Sequence, residues 1–234
     1  MPDAAALRTR LADVRVRIAR AAGRAGRDPA AVRLVAVSKT FPVEFVRIAA
    51  EAGQIDFGEN KVQEALQKMD RTADLDIRWH LVGHLQSNKA RMAGRFDMVH
   101  SIDSAALLRK VDDSAAAAGR QTELLLQVDL AGEATKHGAH TDELMDIIDA
   151  ARQAKMARMV GLMLLPPAVD TPEQARPYFH NLREVRDDLL ARGVESSLLQ
   201  QLSMGMSHDF EVAVEEGATL VRVGTAIFGS RTYV

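Results

Sequence analysis

A single-domain α/β barrel of the (β/α)8 type, carrying an added N-terminal helix, is the fold class the sequence predicts, and three observations predict it. Short apolar or β-branched runs recur eight times after Pro29. Stretches of helical periodicity separate them, and strict strand, helix, strand succession implies parallel pairing. The 234 residues contain no visible linker or composition break, and one such barrel closes in roughly 200 to 250 residues. An open doubly wound sheet is the alternative. It would often carry a Gly-x-Gly-x-x-Gly turn after its first strand, where this chain reads Ser38-Lys39-Thr40.

The first element is a helix within residues 1–28, packed on the barrel. Leu7, Leu11, Val14 and Ile18 fall at 4-3-4 spacing and make one apolar stripe. Arg8, Arg10, Arg15, Arg17, Arg20, Arg24 and Arg27 read as its wet face. An arginine-rich start also resembles an organelle transit peptide, but the periodic stripe favours the helix. The predicted strands are Leu34–Ser38, Ile55–Gly58, Arg78–Gly83, Met98–Ile102, Glu123–Asp129, Met159–Leu165, Leu199–Met204 and Leu220–Gly224. Between them, helical spacing covers Val43–Ala52, Lys61–Met69, Ser104–Ala118, Thr141–Lys155, Pro172–Arg192 and Asp209–Glu216, with a shorter helix at Gln86–Gly94. The whole chain, 1–234, is read as one domain.

Composition narrows the function classes. Apolar residues make up 47% of the chain, enough for a full core. Lys and Arg number 30 against 32 Asp and Glu, a net charge of -2, so a basic surface for nucleic acid is not expected. Zero cysteines exclude a disulfide framework, a thiolate zinc site, an iron–sulfur cluster and a cysteine nucleophile. The longest apolar run, Met159–Leu165, is far below the ~18 to 20 residues that cross a bilayer. A soluble, cytoplasmic protein with no membrane partner is expected. No surface stripe demands a second copy, which suits a monomer.

In a barrel of this type the chemistry gathers at the C-terminal strand ends. Lys39 ends a strand whose preceding residues, Leu34, Val35, Ala36 and Val37, are all apolar. A partly desolvated amine favours its neutral form and suits imine formation with an aldehyde; a lysine snorkelling into water is the plainer reading of position alone. Lys136, in the loop after the fifth strand, is the rival on the same face. The loops SMGMSHD and VRVGTAIFG follow the seventh and eighth strands, where barrels often hold a phosphate. Ser207 and Thr225 bring hydroxyls there, and Gly224 lets the backbone approach an anion; alternatively Ser207 caps the next helix and Gly224 turns the chain. Alternation puts Arg222 on the same face as Gly224, where it needs either a carboxylate or a ring nitrogen as acceptor. His80 and His84 span a strand and its loop, outside the helical metal spacing, and His137 and His140 lack a carboxylate motif, so no metal site is expected. Asp103 and Asp129 end strands as possible acids, bases or caps.

An amine on strand one, an anion cradle after strands seven and eight and an arginine between them suit a phosphorylated aldehyde. The segments VAVSKT, FGENKVQEA, WHLVGHLQSNKAR, SIDS, SMGMSHDFEVAVEEG and TLVRVGTAIFG closely resemble the pyridoxal phosphate homeostasis protein family. Its barrel is similar to the N-terminal domain of alanine racemase. The resemblance, running from about Leu34 to Arg231, implies that Lys39 holds pyridoxal 5'-phosphate as a Schiff base. It also implies that Asn60 lies beside the cofactor, that Ser207, Gly224 and Thr225 bind the phosphate, and that Arg222 faces the pyridine nitrogen. Asp129 departs from the family, where asparagine is usual. The implied role is cofactor buffering or delivery to apo-enzymes, without robust catalysis. A slow racemase or isomerase is the alternative, and a cofactor-free Schiff-base aldolase a weaker one. An arginine at the pyridine nitrogen makes a poor electron sink. The tyrosines, Tyr178 and Tyr233, do not complete a two-base site.

Overall fold

The computed structural model describes residues 3–130 and 137–229. Eight strands form one closed parallel barrel in sequence order: β1 Arg33–Val37, β2 Asp56–Glu59, β3 Arg78–Leu81, β4 Met98–Ile102, β5 Thr122–Gln127, β6 Ala157–Met163, β7 Gln201–Met206 and β8 Leu220–Val223. Closure is made by β8 on β1, with Leu34 opposite Val221 and Ala36 opposite Val223. The helices are α1 Ala4–Arg24, α2 Val43–Glu51, α3 Val62–Arg71, α4 Ala105–Ala118, α5 Leu144–Gln153, α6 Arg176–Ala191, α7 Phe210–Glu215 and α8 Thr225–Phe228. The predicted barrel is therefore the observed one.

Two predicted helices differ in kind. Ser87–Arg95 winds as a 3-10 helix, and Pro172–Ala175 is a separate 3-10 turn before α6. Pro177 explains the second break: with no N–H to donate, it is tolerated in a helix only within the first turn, so α6 starts afresh at Arg176. Leu199 falls outside β7 because Ser196–Leu198 turns just before it.

Strand alternation sorts the apolar residues into two cores. Val35, Val37, Val82, Met98, Leu125, Val160, Met163 and Leu220 pack together in the lumen. Their neighbours along the chain, such as Leu34, Ala36, Val99, Leu124 and Val221, join the larger core between barrel and helices. Gly161 marks where sheet backbones crowd, because a Cβ there would overlap the Gln201 carbonyl of β7.

Helix α1 buries Leu7, Leu11, Val14 and Ile18 as the spacing predicts. It packs on α2, α7 and α8, and since α8 is a four-residue stub, α1 fills the eighth place in the outer ring. Its arginines are not merely a wet face, which corrects the expectation. Arg15 donates to the carbonyls of Ala52 and Gly53 just past α2. Arg27, just past α1, donates to the carbonyls of Val214 and Ala218 at the end of α7, Arg10 to that of Ile227 in α8, and Arg17 lies over the Phe210 ring. Helix C-termini leave carbonyls unpaired and carry partial negative charge, which these guanidiniums answer.

Candidate functional site

Lys39 and Asn60 follow adjacent strands at the same mouth of the barrel. The β1–β2 ladder continues one residue past β1, with the Ser38 N–H donating to Gly58 at 3.0 Å. Lys39 then occupies a tight turn whose next residue, Thr40, is the one non-glycine with positive φ among the described residues, at 67°. That conformation is costly for a branched residue. A polar staple holds it. The Thr40 N–H donates to Glu64 Oε1 at 2.6 Å, and Lys68 Nζ bonds Glu64 at 2.8 Å, Glu59 at 2.6 Å and the Ser38 carbonyl at 2.8 Å. Glu59 is wholly buried, and burial pushes its carboxyl up despite Lys68. Asn60 comes directly after Glu59, and the loop from β3 presses on its backbone so closely that only Gly83 fits.

The two predicted anion loops meet through one hydroxyl. Ser207 Oγ accepts the Gly224 N–H at 3.1 Å and the Ala226 N–H at 3.3 Å. Ser207 thus joins the loops after β7 and β8 and does not cap α7; Asp209 closes that turn by accepting the Met206 N–H at 2.6 Å. A Cβ on Gly224 would stand 3.2 Å from the Val37 carbonyl, so the β8 loop leans on the end of β1, close to Lys39 in sequence. Thr225 opens α8 and is exposed. Lys136 lies outside the described residues.

Arg222 is buried within the barrel. It donates to Ser203 Oγ at 2.5 Å and to the Leu164 carbonyl at 2.8 Å. No described carboxylate lies within ion-pair distance, and burial pulls its guanidinium down to about 10, against a smaller opposing effect of Asp209. Ser203 begins a chain the sequence did not announce. Its Oγ is 2.9 Å from His100 Nδ1, His100 Nε2 is 2.9 Å from His80 Nδ1, and His80 Nε2 is 2.8 Å from Asp56 Oδ1. Since β4 and β7 are not neighbours in the sheet, the His100–Ser203 bond crosses the lumen.

The ends of this chain fix its outermost proton directions. An arginine only donates and an ionised carboxylate only accepts. Asp56 is held below the usual carboxylate range by His80, Arg33 and Arg78, against its burial. Where each imidazole carries a single hydrogen, the hydrogens run from Arg222 to Ser203, His100, His80 and Asp56 in turn. Both imidazoles then carry hydrogen on Nε2. The spacing of His80 and His100 gave no hint of this, because each pairs with residues brought close only by barrel closure. Glu64 and Lys68 were legible as an i,i+4 pair on one helix face. A third grouping, His84, Asp103 and His137, assembles at the rim from the loops after β3, β4 and β5.

The alanine racemase N-terminal domain family matches residues 10–232. The pyridoxal phosphate homeostasis protein of Pseudomonas aeruginosa is 44% identical over 95% of this chain and 95% of its own. PipY of Synechococcus elongatus, solved with PLP bound, is 40% identical, covers 95% of this chain and 100% of its own, and superposes with a TM-score of 0.84. Alanine racemase from Streptomyces coelicolor, at 22% identity and a TM-score of 0.71, shares the fold; this chain spans 59% of it. The chain belongs to the alanine racemase N-terminal domain family and, within it, to the pyridoxal phosphate homeostasis proteins.

Proposed function

We propose that this protein binds pyridoxal 5'-phosphate (PLP) reversibly through Lys39 and serves PLP homeostasis, buffering the cofactor or delivering it to apo-enzymes, without robust catalysis of its own. In this reading it works as a cytoplasmic monomer, with residues 1–234 as one PLP-binding unit. The observation that carries it is Arg222: a buried guanidinium with no described carboxylate partner, on the strand that leads into the Gly224 loop. A buried cation without a counter-ion is costly, and an aromatic nitrogen with a nearby phosphate dianion answers both its hydrogens and its charge.

The residues present fit the group. Ser207, Gly224 and Ala226 already bring one hydroxyl and two backbone N–H groups to a single point, and a phosphate needs such donors. Thr225 adds an exposed hydroxyl beside them. Asn60 supplies an amide at the strand end next to Lys39. When bound, PLP supplies an electron-accepting ring that labilises bonds at an amino-acid α-carbon. Arg222 limits that power: it donates and never accepts, so a ring nitrogen facing it stays unprotonated.

The test is spectroscopic. Purified protein incubated with PLP is expected to show a yellow imine band that borohydride abolishes, with the pyridoxyl group mapped to Lys39. Lys39→Ala should lose that band. Amino acids in deuterated buffer should gain negligible deuterium at the α-carbon. Robust, Lys39-dependent racemisation would instead make this a PLP enzyme, and a pyridoxyl group on Lys136 would move the site.

A further inference from the structure

The grouping at the rim shares no residue with the cofactor reading. His84 follows β3, Asp103 follows β4 and His137 lies beyond β5. The donor atoms of the three side chains all fall within 4.8 Å of one another. Each is held from behind. The Ser101 hydroxyl fixes the Gly83 carbonyl at 2.8 Å just before His84, and Ser104 caps α4 just after Asp103. His137 precedes Ala139, which bridges Val128 at the end of β5, and its own carbonyl accepts the Gln127 side chain. This is a built cluster on three strand ends.

Nothing else among the described residues occupies these donors. The His84 and His137 rings are stacked at 3.5 Å between centroids and 12° from parallel. His84 Nδ1 is 3.8 Å from Asp103 Oδ2, too long for a hydrogen bond. Ring nitrogens of both histidines and a carboxylate oxygen of Asp103 thus sit side by side. Neutral imidazole is the form that ligates a metal.

We propose that His84, Asp103 and His137 form a binding site for a divalent transition-metal ion of the zinc, cobalt or nickel kind. Two ring nitrogens and one carboxylate oxygen suit such ions. Calcium and magnesium prefer all-oxygen shells, and soft ions prefer the thiolates this chain lacks. Donors around a tetrahedral ion stand about 3.3 Å apart. The two rings must therefore pivot out of their stack to face one point, which their exposure permits. Three protein ligands leave a fourth position for water or a small anion. The site lies on the arc formed by β3, β4 and β5, whereas Ser207, Gly224 and Lys39 follow β7, β8 and β1.

Tag-free protein titrated with Co2+ alone tests this. One equivalent should produce visible d–d absorption that added Zn2+ abolishes. His84→Ala, His137→Ala and Asp103→Asn should each weaken uptake at least tenfold, with unchanged circular dichroism, whereas His140→Ala and His208→Ala should leave it unchanged. X-ray absorption at the zinc edge should count two imidazole ligands. Absence of saturable uptake would overturn the proposal, as would uptake that survives the His84→Ala, His137→Ala double variant. Neither result bears on whether Lys39 holds PLP.

Discussion

His100 is wholly buried, and its protonation state is dictated by what surrounds it. Burial, then His80, Arg222 and Arg33, holds its imidazole well below the ordinary value of 6.5. His80 reaches it from β3 and Ser203 from β7, and Arg222 of β8 bonds that same Ser203. Unfolded, the same ring takes up a proton near that ordinary value. As pH falls below it, the unfolded chain binds one proton more than the folded chain, so stability drops, by up to about 1.4 kcal/mol per pH unit, until the folded ring titrates. Urea midpoints measured from pH 6.5 to 5 should therefore decline, and His100→Gln should flatten that slope whatever it does to stability at neutral pH. Nitrogen NMR should find the His100 ring neutral at pH 7, and a doubly protonated ring there would overturn this reading. At this scale the sequence was readable only in part. Lys39, Asn60, Ser207, Arg222 and Thr225 stand out as polar residues at or near strand ends, and Gly224 as a backbone opening beside them. The lumen chain and the rim cluster depend on barrel closure, which no local spacing encodes.

At the scale of elements, periodicity carried most of the reading. The strands stand within two or three residues of their expected ends because β-branched runs and flanking turns are local signals. What escaped was the character of α1. A stripe of Leu7, Leu11, Val14 and Ile18 announces a buried face, but nothing local says that the arginines beside it reach the ends of other helices. Arg27 is the clearest case, bonding two carbonyls about α7 at 2.5 and 2.8 Å. Arg27→Met should cost about 1 to 2 kcal/mol by urea denaturation. Arg20→Met, on α1 itself and exposed, should change stability by less than about 0.5 kcal/mol. Equal effects would mean that Arg27 acts only as a surface charge. The 3-10 segments escaped for a related reason: an apolar spacing reports which face is buried, not which hydrogen-bond pitch winds the backbone.

For the molecule as a whole, the barrel is one closed ring whose lumen holds an apolar cluster and the Arg222–Asp56 chain, with further apolar packing outside it. Closure was foreseeable from eight strand runs and the absence of a linker. Which helix completes the outer ring was not, because the partner of α8 lies at the other end of the chain. That arrangement has a consequence for biosynthesis. Helix α1 leaves the ribosome well before its docking partners α7 and α8: Arg10 meets Ile227, and Arg17 meets Phe210. Until those partners emerge, the Leu7–Ile18 stripe has only α2 to cover it. Nascent chains arrested before residue 210 should be cut by protease within α1, while the finished protein resists there. Protection of α1 in the arrested chain would show that α2 alone suffices to dock it. Docking of α1 thus waits on segments synthesised long after it, and the ring is sealed only when they arrive.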